Sequence, residues 1–167
     1  MAVKILKNRS KWGKVGINGE YMLIGHYTTK TDNKGRVALP SKFKTVLGEK
    51  LIITAGYEKS LMIVSPKDWQ KVIGEVTNGH LTLEPARATD RFLLGSAFEI
   101  ELDSQGRFII PKYLRDYAEI DKEAVFIGVG NRVELWSQAK WQAYEQYLDK
   151  NISQLGEKLS ARTSSFT

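Results

Sequence analysis

Arginine directly after a tight turn can grip an anion, and this chain makes that placement twice. Residues 32–36 read Asp-Asn-Lys-Gly-Arg, and residues 103–107 read Asp-Ser-Gln-Gly-Arg. Asp103 follows Asp32 by 71 residues, and each motif runs into an apolar stretch and a proline: Val37-Ala38-Leu39-Pro40 and Phe108-Ile109-Ile110-Pro111. The turn alone explains four of these residues. An Asp at its head accepts a hydrogen bond from the backbone two residues on, and glycine adopts the positive φ that a bulged hairpin turn requires. Asp32, Gly35, Asp103 and Gly106 are therefore read as turn-shaping. Arg36 and Arg107 are not demanded by the turn. A guanidinium can hold a phosphate, or the acceptor edge of guanine, through two parallel hydrogen bonds. One such Arg is an ordinary surface residue; two at matched positions suggest a surface for an anion. Lys34 adds a flexible charge at the first turn tip, and Gln105 in the matching place can contact a phosphate or a base edge. Both guanidinium groups are expected to be held outward on an exposed cationic ridge.

Other chemistry finds little support. His26 and His80 are the only histidines, and the chain has no cysteine, which is poor material for a metal site or a disulfide framework. Glu99 and Glu101 share one strand face and read as solvated edge charge. There is no Gly-x-Ser-x-Gly elbow, no Gly-x-x-x-x-Gly-Lys loop and no dinucleotide fingerprint. No catalysis, cofactor, metal or small-molecule substrate is expected. No run approaches the ~18 apolar residues of a membrane span, and the N-terminus lacks a secretory core, so a cytoplasmic location is the simplest expectation. The formal charge of +6 is unevenly spread: Lys4, Lys7, Arg9, Lys11 and Lys14 face only Glu20 within residues 1–20. Residues 1–21 are read as a basic, flexible extension, with Met22 a second candidate for the start of the compact part. A nucleic-acid reading must rest on where charge sits, not on its total.

Two similar halves must position the motifs. In each, a short helical segment follows the proline (Phe43, Val46, Leu47; Tyr113, Leu114, Tyr117), then come β-branched runs at Leu51–Thr54 and Ala124–Ile127. Turns at Gly56 and Gly130 lead to further strands at Leu61–Val64 and Val133–Trp136, and then to helices carrying Trp69 and Trp141. A helix from Pro66 and another from Glu84-Pro85 form the connector, separated at Asn78-Gly79. Arg87 and Arg91 share a helix face; phosphate contact and ion pairs with Glu84 or Asp90 are both open. Trp141, Tyr144, Leu148, Ile152, Leu155 and Leu159 mark one face of a C-terminal helix expected to pack on this domain or on a neighbouring subunit. Gly156 is expected to break that helix late, with Ser160–Thr167 frayed. Trp69, Trp136, Trp141 and the Tyr residues read as core rather than as stacking platforms. The predicted division is 1–21 extension, 22–69 first half, 70–94 helical connector, 95–141 second half and 142–167 C-terminal helix and tail. Each half is too small to bury much surface alone, so the two should share one core.

The doubled motif resembles that of the MraZ family, built from two copies of the swapped-hairpin fold of AbrB-type regulators. Similar flanks include Gly35–Phe43, Leu102–Pro111, Arg91–Gly95 and Val125–Trp136, and the resemblance runs from about Met22 to about Tyr147. It implies an α+β, β-rich fold: a pseudo-symmetric tandem AbrB-like swapped-hairpin barrel with flanking helices. It implies a nucleoid-associated transcriptional regulator that assembles into a ring homo-oligomer, an octamer or larger. That ring binds short, G-containing direct repeats in double-stranded DNA upstream of its own operon for cell division and cell-wall synthesis. The DNA-binding residues it implies are Lys34, Arg36, Gln105 and Arg107. Gln105 in place of Lys34 implies unequal contributions from the two turns. The alternatives are an antitoxin-like module that clamps a toxin, and a ring-forming scaffold with no nucleic-acid role.

Overall fold

A computed structural model describes residues 22–76 and 79–164; the basic extension and the Asn78 boundary lie outside them. The chain order is β1 (Leu23–Lys30), β2 (Arg36–Ala38), α1 (Ser41–Leu47), β3 (Lys50–Ala55), a short 3-10 turn (Tyr57–Lys59), β4 (Leu61–Val64), α2 (Pro66–Val76) and α3 (Glu84–Leu93). It continues as β5 (Phe98–Glu101), β6 (Arg107–Ile109), α4 (Lys112–Tyr117), β7 (Glu123–Gly130), β8 (Val133–Ser137) and α5 (Gln138–Ser164). The fold is α+β, and every described ladder is antiparallel.

Six strands form one sheet in the order β1-β7-β8-β4-β3-β5, and β2 and β6 form a separate ribbon. The halves exchange strands. β1 pairs with β7 of the other half, as β5 pairs with β3. At the centre β4 meets β8, with Met62 opposite Glu134. A pseudo-twofold axis therefore runs between β4 and β8 and again through the ribbon, where Val37 faces Phe108. The sheet is not closed into the expected barrel: β1 and β5 are its edges. On β5, Glu101 stands opposite Lys50 of β3, an opposite-charge pair suited to a sheet edge.

Alternation on the short strands explains the core. Val37 and Phe108 point inward, at 1% and 3% exposure, while their neighbours on the ribbon face solvent. They join a cluster drawn from both halves, including Phe43, Leu51, Ile53, Leu61, Leu114, Phe126 and Leu135. A second cluster under α2 and α3 holds Val64, Val72 and Leu93, with Trp69 packed against it. A third joins Val125, Ile127 and Trp136 to Trp141 and Tyr144 of α5. Trp69, Trp136 and Trp141 thus serve packing, as the apolar pattern implies.

Helix starts are written locally. Ser65 precedes Pro66; its hydroxyl accepts the Asp68 N–H at 3.2 Å and donates to the Asp68 carboxylate at 2.7 Å, a reciprocal cap. Ser137 repeats the device more simply, its hydroxyl accepting the Lys140 N–H at 3.3 Å at the head of α5.

Two helical expectations are corrected. Gly156 does not break α5, which continues through it to Ser164; one glycine costs only about 1 kcal/mol in a long helix. Ser160–Ser164 are helical rather than frayed. The apolar face of α5, expected to pack on this domain or on a neighbouring subunit, is divided within the chain. Trp141 and Tyr144 pack against it, but Ile152 is 59% and Leu159 69% exposed. On α3, Arg87 donates to the Leu81 carbonyl at 3.0 Å instead of pairing with Glu84 or Asp90.

Candidate nucleic-acid interface

Each motif folds into the same hydrogen-bonded device. In the first, the Gly35 N–H donates to the Asp32 carbonyl at 2.9 Å and the Asp32 N–H to the Arg36 carbonyl at 3.1 Å. One carboxylate oxygen of Asp32 accepts the backbone N–H groups of Lys34 and Arg36, both at 2.9 Å. The other accepts Arg36 Nε at 2.9 Å and Nη2 at 2.8 Å. The second turn repeats this: Asp103 accepts the N–H groups of Gln105 and Arg107 at 2.9 Å, Arg107 Nε at 2.9 Å and Nη2 at 2.8 Å. Gly35 and Gly106 have φ of 78° and 73°, the left-handed region that favours glycine.

Asp32 and Asp103 therefore do more than shape a turn. Each clamps the edge of its own Arg, so the guanidinium is oriented before any partner arrives. The clamps are internal ion pairs, yet the Arg side chains stay 36% and 33% exposed. Nη1 of each is left outside its clamp. Lys34 and Gln105 lie exposed at the turn tips, and Lys34 makes no ion pair among the described residues.

The ribbon brings the motifs together. Arg36 stands opposite Ile109 and Arg107 opposite Ala38, so all four side chains share the outward face. Arg36 and Arg107 are diagonal neighbours across the ladder, a spacing of about 7–8 Å between backbones. The turns sit at opposite ends and are tied crosswise: the Leu39 N–H donates to the Gly106 carbonyl at 3.0 Å, and the Ile110 N–H to the Gly35 carbonyl at 2.9 Å.

Two further cations stand over these turns, and sequence reasoning missed them. Arg115 of α4 covers Gly35, and Lys44 of α1 approaches Gly106. Each comes from the opposite half. The signal was present: Lys44 and Arg115 are separated by the same 71 residues as the motifs. No cluster of His, Cys, Asp or Glu able to hold a metal occurs among the described residues, and none of their helices is long and apolar enough to cross a membrane.

The clamps leave a titration signature. The Arg107 side chain, followed by the Arg107 backbone N–H, pulls the Asp103 carboxyl down from 3.8 to about 2. Asp32 is also lowered, chiefly by the Arg36 backbone N–H. A carboxyl depressed in the folded state stabilises it at pH above the unfolded value of 3.8, and that contribution fades as pH falls through about 2. Carboxyl-carbon NMR should place the Asp103 midpoint near 2, and Arg107→Ala should move it up toward 3.8 without fully restoring it, because the backbone donors remain. An unshifted midpoint in the wild type would contradict the clamp.

A family model for MraZ protein, described as antitoxin-like, matches residues 22–92 and again 93–162. Relatives named transcriptional regulator MraZ align over most of the chain. Those of Caldanaerobacter subterraneus subsp. tengcongensis and Thermoanaerobacter sp. (strain X514) are each 41% identical over 138 residues, 83% of this chain and 96% of the relative. That of Caldicellulosiruptor saccharolyticus is 46% identical over 132 residues, 79% of this chain and 91% of the relative. With both halves matched in tandem and the doubled turn built twice on one ribbon, the chain belongs to the MraZ family.

Proposed function

We propose that this chain is a sequence-specific DNA-binding transcriptional regulator. It acts as a ring of identical subunits on short direct repeats upstream of its own operon, within the gene cluster for division and cell-wall synthesis. The observation that carries the reading is the pair of Asp-clamped, part-exposed guanidinium groups on the outward face of one two-stranded ribbon. The major groove of B-DNA admits such a ribbon, and Arg is the side chain best matched to the acceptor edge of guanine. Lys34 and Gln105 at the turn tips would reach the flanking phosphates or base edges. Single contacts of this kind are weak. A ring presenting several ribbons gains affinity through effective concentration, and repeated DNA boxes are the natural complement of repeated turns. The names of the relatives support the regulatory role.

The test is footprinting on the DNA upstream of the chain's own gene, with affinity followed across a salt series and subunits counted in the same buffer. Evenly spaced protections are expected, with log affinity falling linearly with log salt. Absence of salt-dependent binding would favour the scaffold reading. The antitoxin-like description of the family model favours one second reading, a module that clamps a small toxin. It expects a stable complex with the product of a neighbouring gene, and tight operator binding only in that complex.

A further inference from the structure

The two turns have the same hydrogen bonds but not the same charge. Asp32 is bound to Arg36 and Asp103 to Arg107, so each clamped pair is close to neutral at any pH where the carboxylates are ionised. What each turn offers a polyanion therefore depends on the cations around it. At the second turn Gln105 is uncharged, and Lys44 is already held by Glu49 at 3.3 Å. At the first turn Lys34 is a cation, and Arg115 lies over Gly35 so closely that a side chain there would collide with its guanidinium. Neither Lys34 nor Arg115 makes an ion pair among the described residues. Three acids share the cleft with Arg115: Asp32 is clamped by Arg36, Asp116 pairs with Lys112, and Asp121 is followed by Lys122.

The geometry points to Arg115 as a phosphate-binding residue of the first turn, supplied by the second half of the chain, and to the first turn as the stronger of the two DNA contacts. This rests on the DNA-binding reading above. Arg115 is suited to the role for three reasons. Its side chain is part-buried against the turn, so little freedom remains to be lost on binding. It makes no ion pair of its own among the described residues, although three carboxylates line its cleft, so its guanidinium can turn to a phosphate without breaking a contact. It lies over Gly35, the residue that precedes the clamped Arg36, so the first turn would offer a base-reading group and a backbone-holding one together. Lys44 occupies the symmetric place but would have to give up Glu49 first.

The experiment is fluorescence anisotropy on a labelled duplex carrying the upstream repeats, at several salt concentrations, with thermal melts of each protein alone. Arg115→Gln should weaken binding about 10-fold and make the salt slope shallower by about one for each phosphate no longer neutralised. Arg115→Lys should restore the slope and part of the affinity, because the charge returns without the fork. Lys44→Gln should change affinity by less than about 3-fold, since its charge is already engaged. Should Arg115→Gln melt early, Arg115→Met, which retains the packing stem, takes its place in the same comparison. The proposal is overturned if the wild type binds and Arg36→Ala does not, while loss of the Arg115 charge leaves affinity and slope unchanged. It is also overturned if Lys44→Gln costs as much as Arg115→Gln. Wild-type protein without salt-dependent binding would instead sink the DNA reading, and this proposal with it.

Discussion

Arg36→Ala is expected to reduce operator affinity about 100-fold or more while leaving the protein folded. A well-placed Arg on a base edge discriminates by about 1–3 kcal/mol, and a multi-subunit ring repeats the loss at every engaged ribbon. A second effect adds to it. Asp32 would lose its guanidinium and stand as a bare carboxylate on the proposed DNA-binding side, still held by the backbone N–H groups of positions 34 and 36. The double variant Asp32→Asn/Arg36→Ala should therefore bind better than Arg36→Ala alone. Stability should hardly change, because a half-exposed ion pair contributes at most about 1 kcal/mol. A salt-matched mobility shift with a thermal melt decides it. Binding equal to wild type would remove Arg36 from the interface.

Phe108→Ala should do the reverse. The ring is 3% exposed and meets Phe126 edge to face at 6.5 Å between centroids. It is also the inward partner of Val37 in the ribbon, so its loss opens a cavity directly beneath the Arg-bearing face. Truncating a buried Phe costs about 3–5 kcal/mol, against a total domain stability of about 5–15 kcal/mol. Urea unfolding should show a lower midpoint at unchanged slope, and DNA affinity should fall only in step with the folded fraction. Ile109→Ala, on the exposed side of the same strand at 56%, is the control and should be nearly neutral.

Much of this molecule was readable because its signals are local. The turns follow from Asp and Gly placement, the strands from β-branched runs, and the starts of α2 and α3 from their prolines. The matched offset of 71 residues led to the pseudo-symmetry. What resisted reading was non-local. No propensity assigns β1 to β7 rather than to β2, and an open sheet and a closed barrel have the same strand pattern. The cations over the turns were missed for the same reason. Lys44 and Arg115 look like ordinary polar positions on short helices until the halves cross. Gly156 misled in the other direction: a residue that weakens a short helix is absorbed by one of 27 residues. The Arg36–Asp32 clamp was hidden by its economy, because one Asp both builds the turn and orients the Arg.

The crosswise pairing of β1 with β7 and β5 with β3 has a mechanical meaning. The two segments are interlocked like hooked fingers, and the peptide joining α2 to α3 is not what keeps them in one particle. A protein nicked by a protease between residues 77 and 83 should elute intact from a sizing column and come apart only in denaturant. If the pieces drift apart in plain buffer, the hook is too shallow to hold.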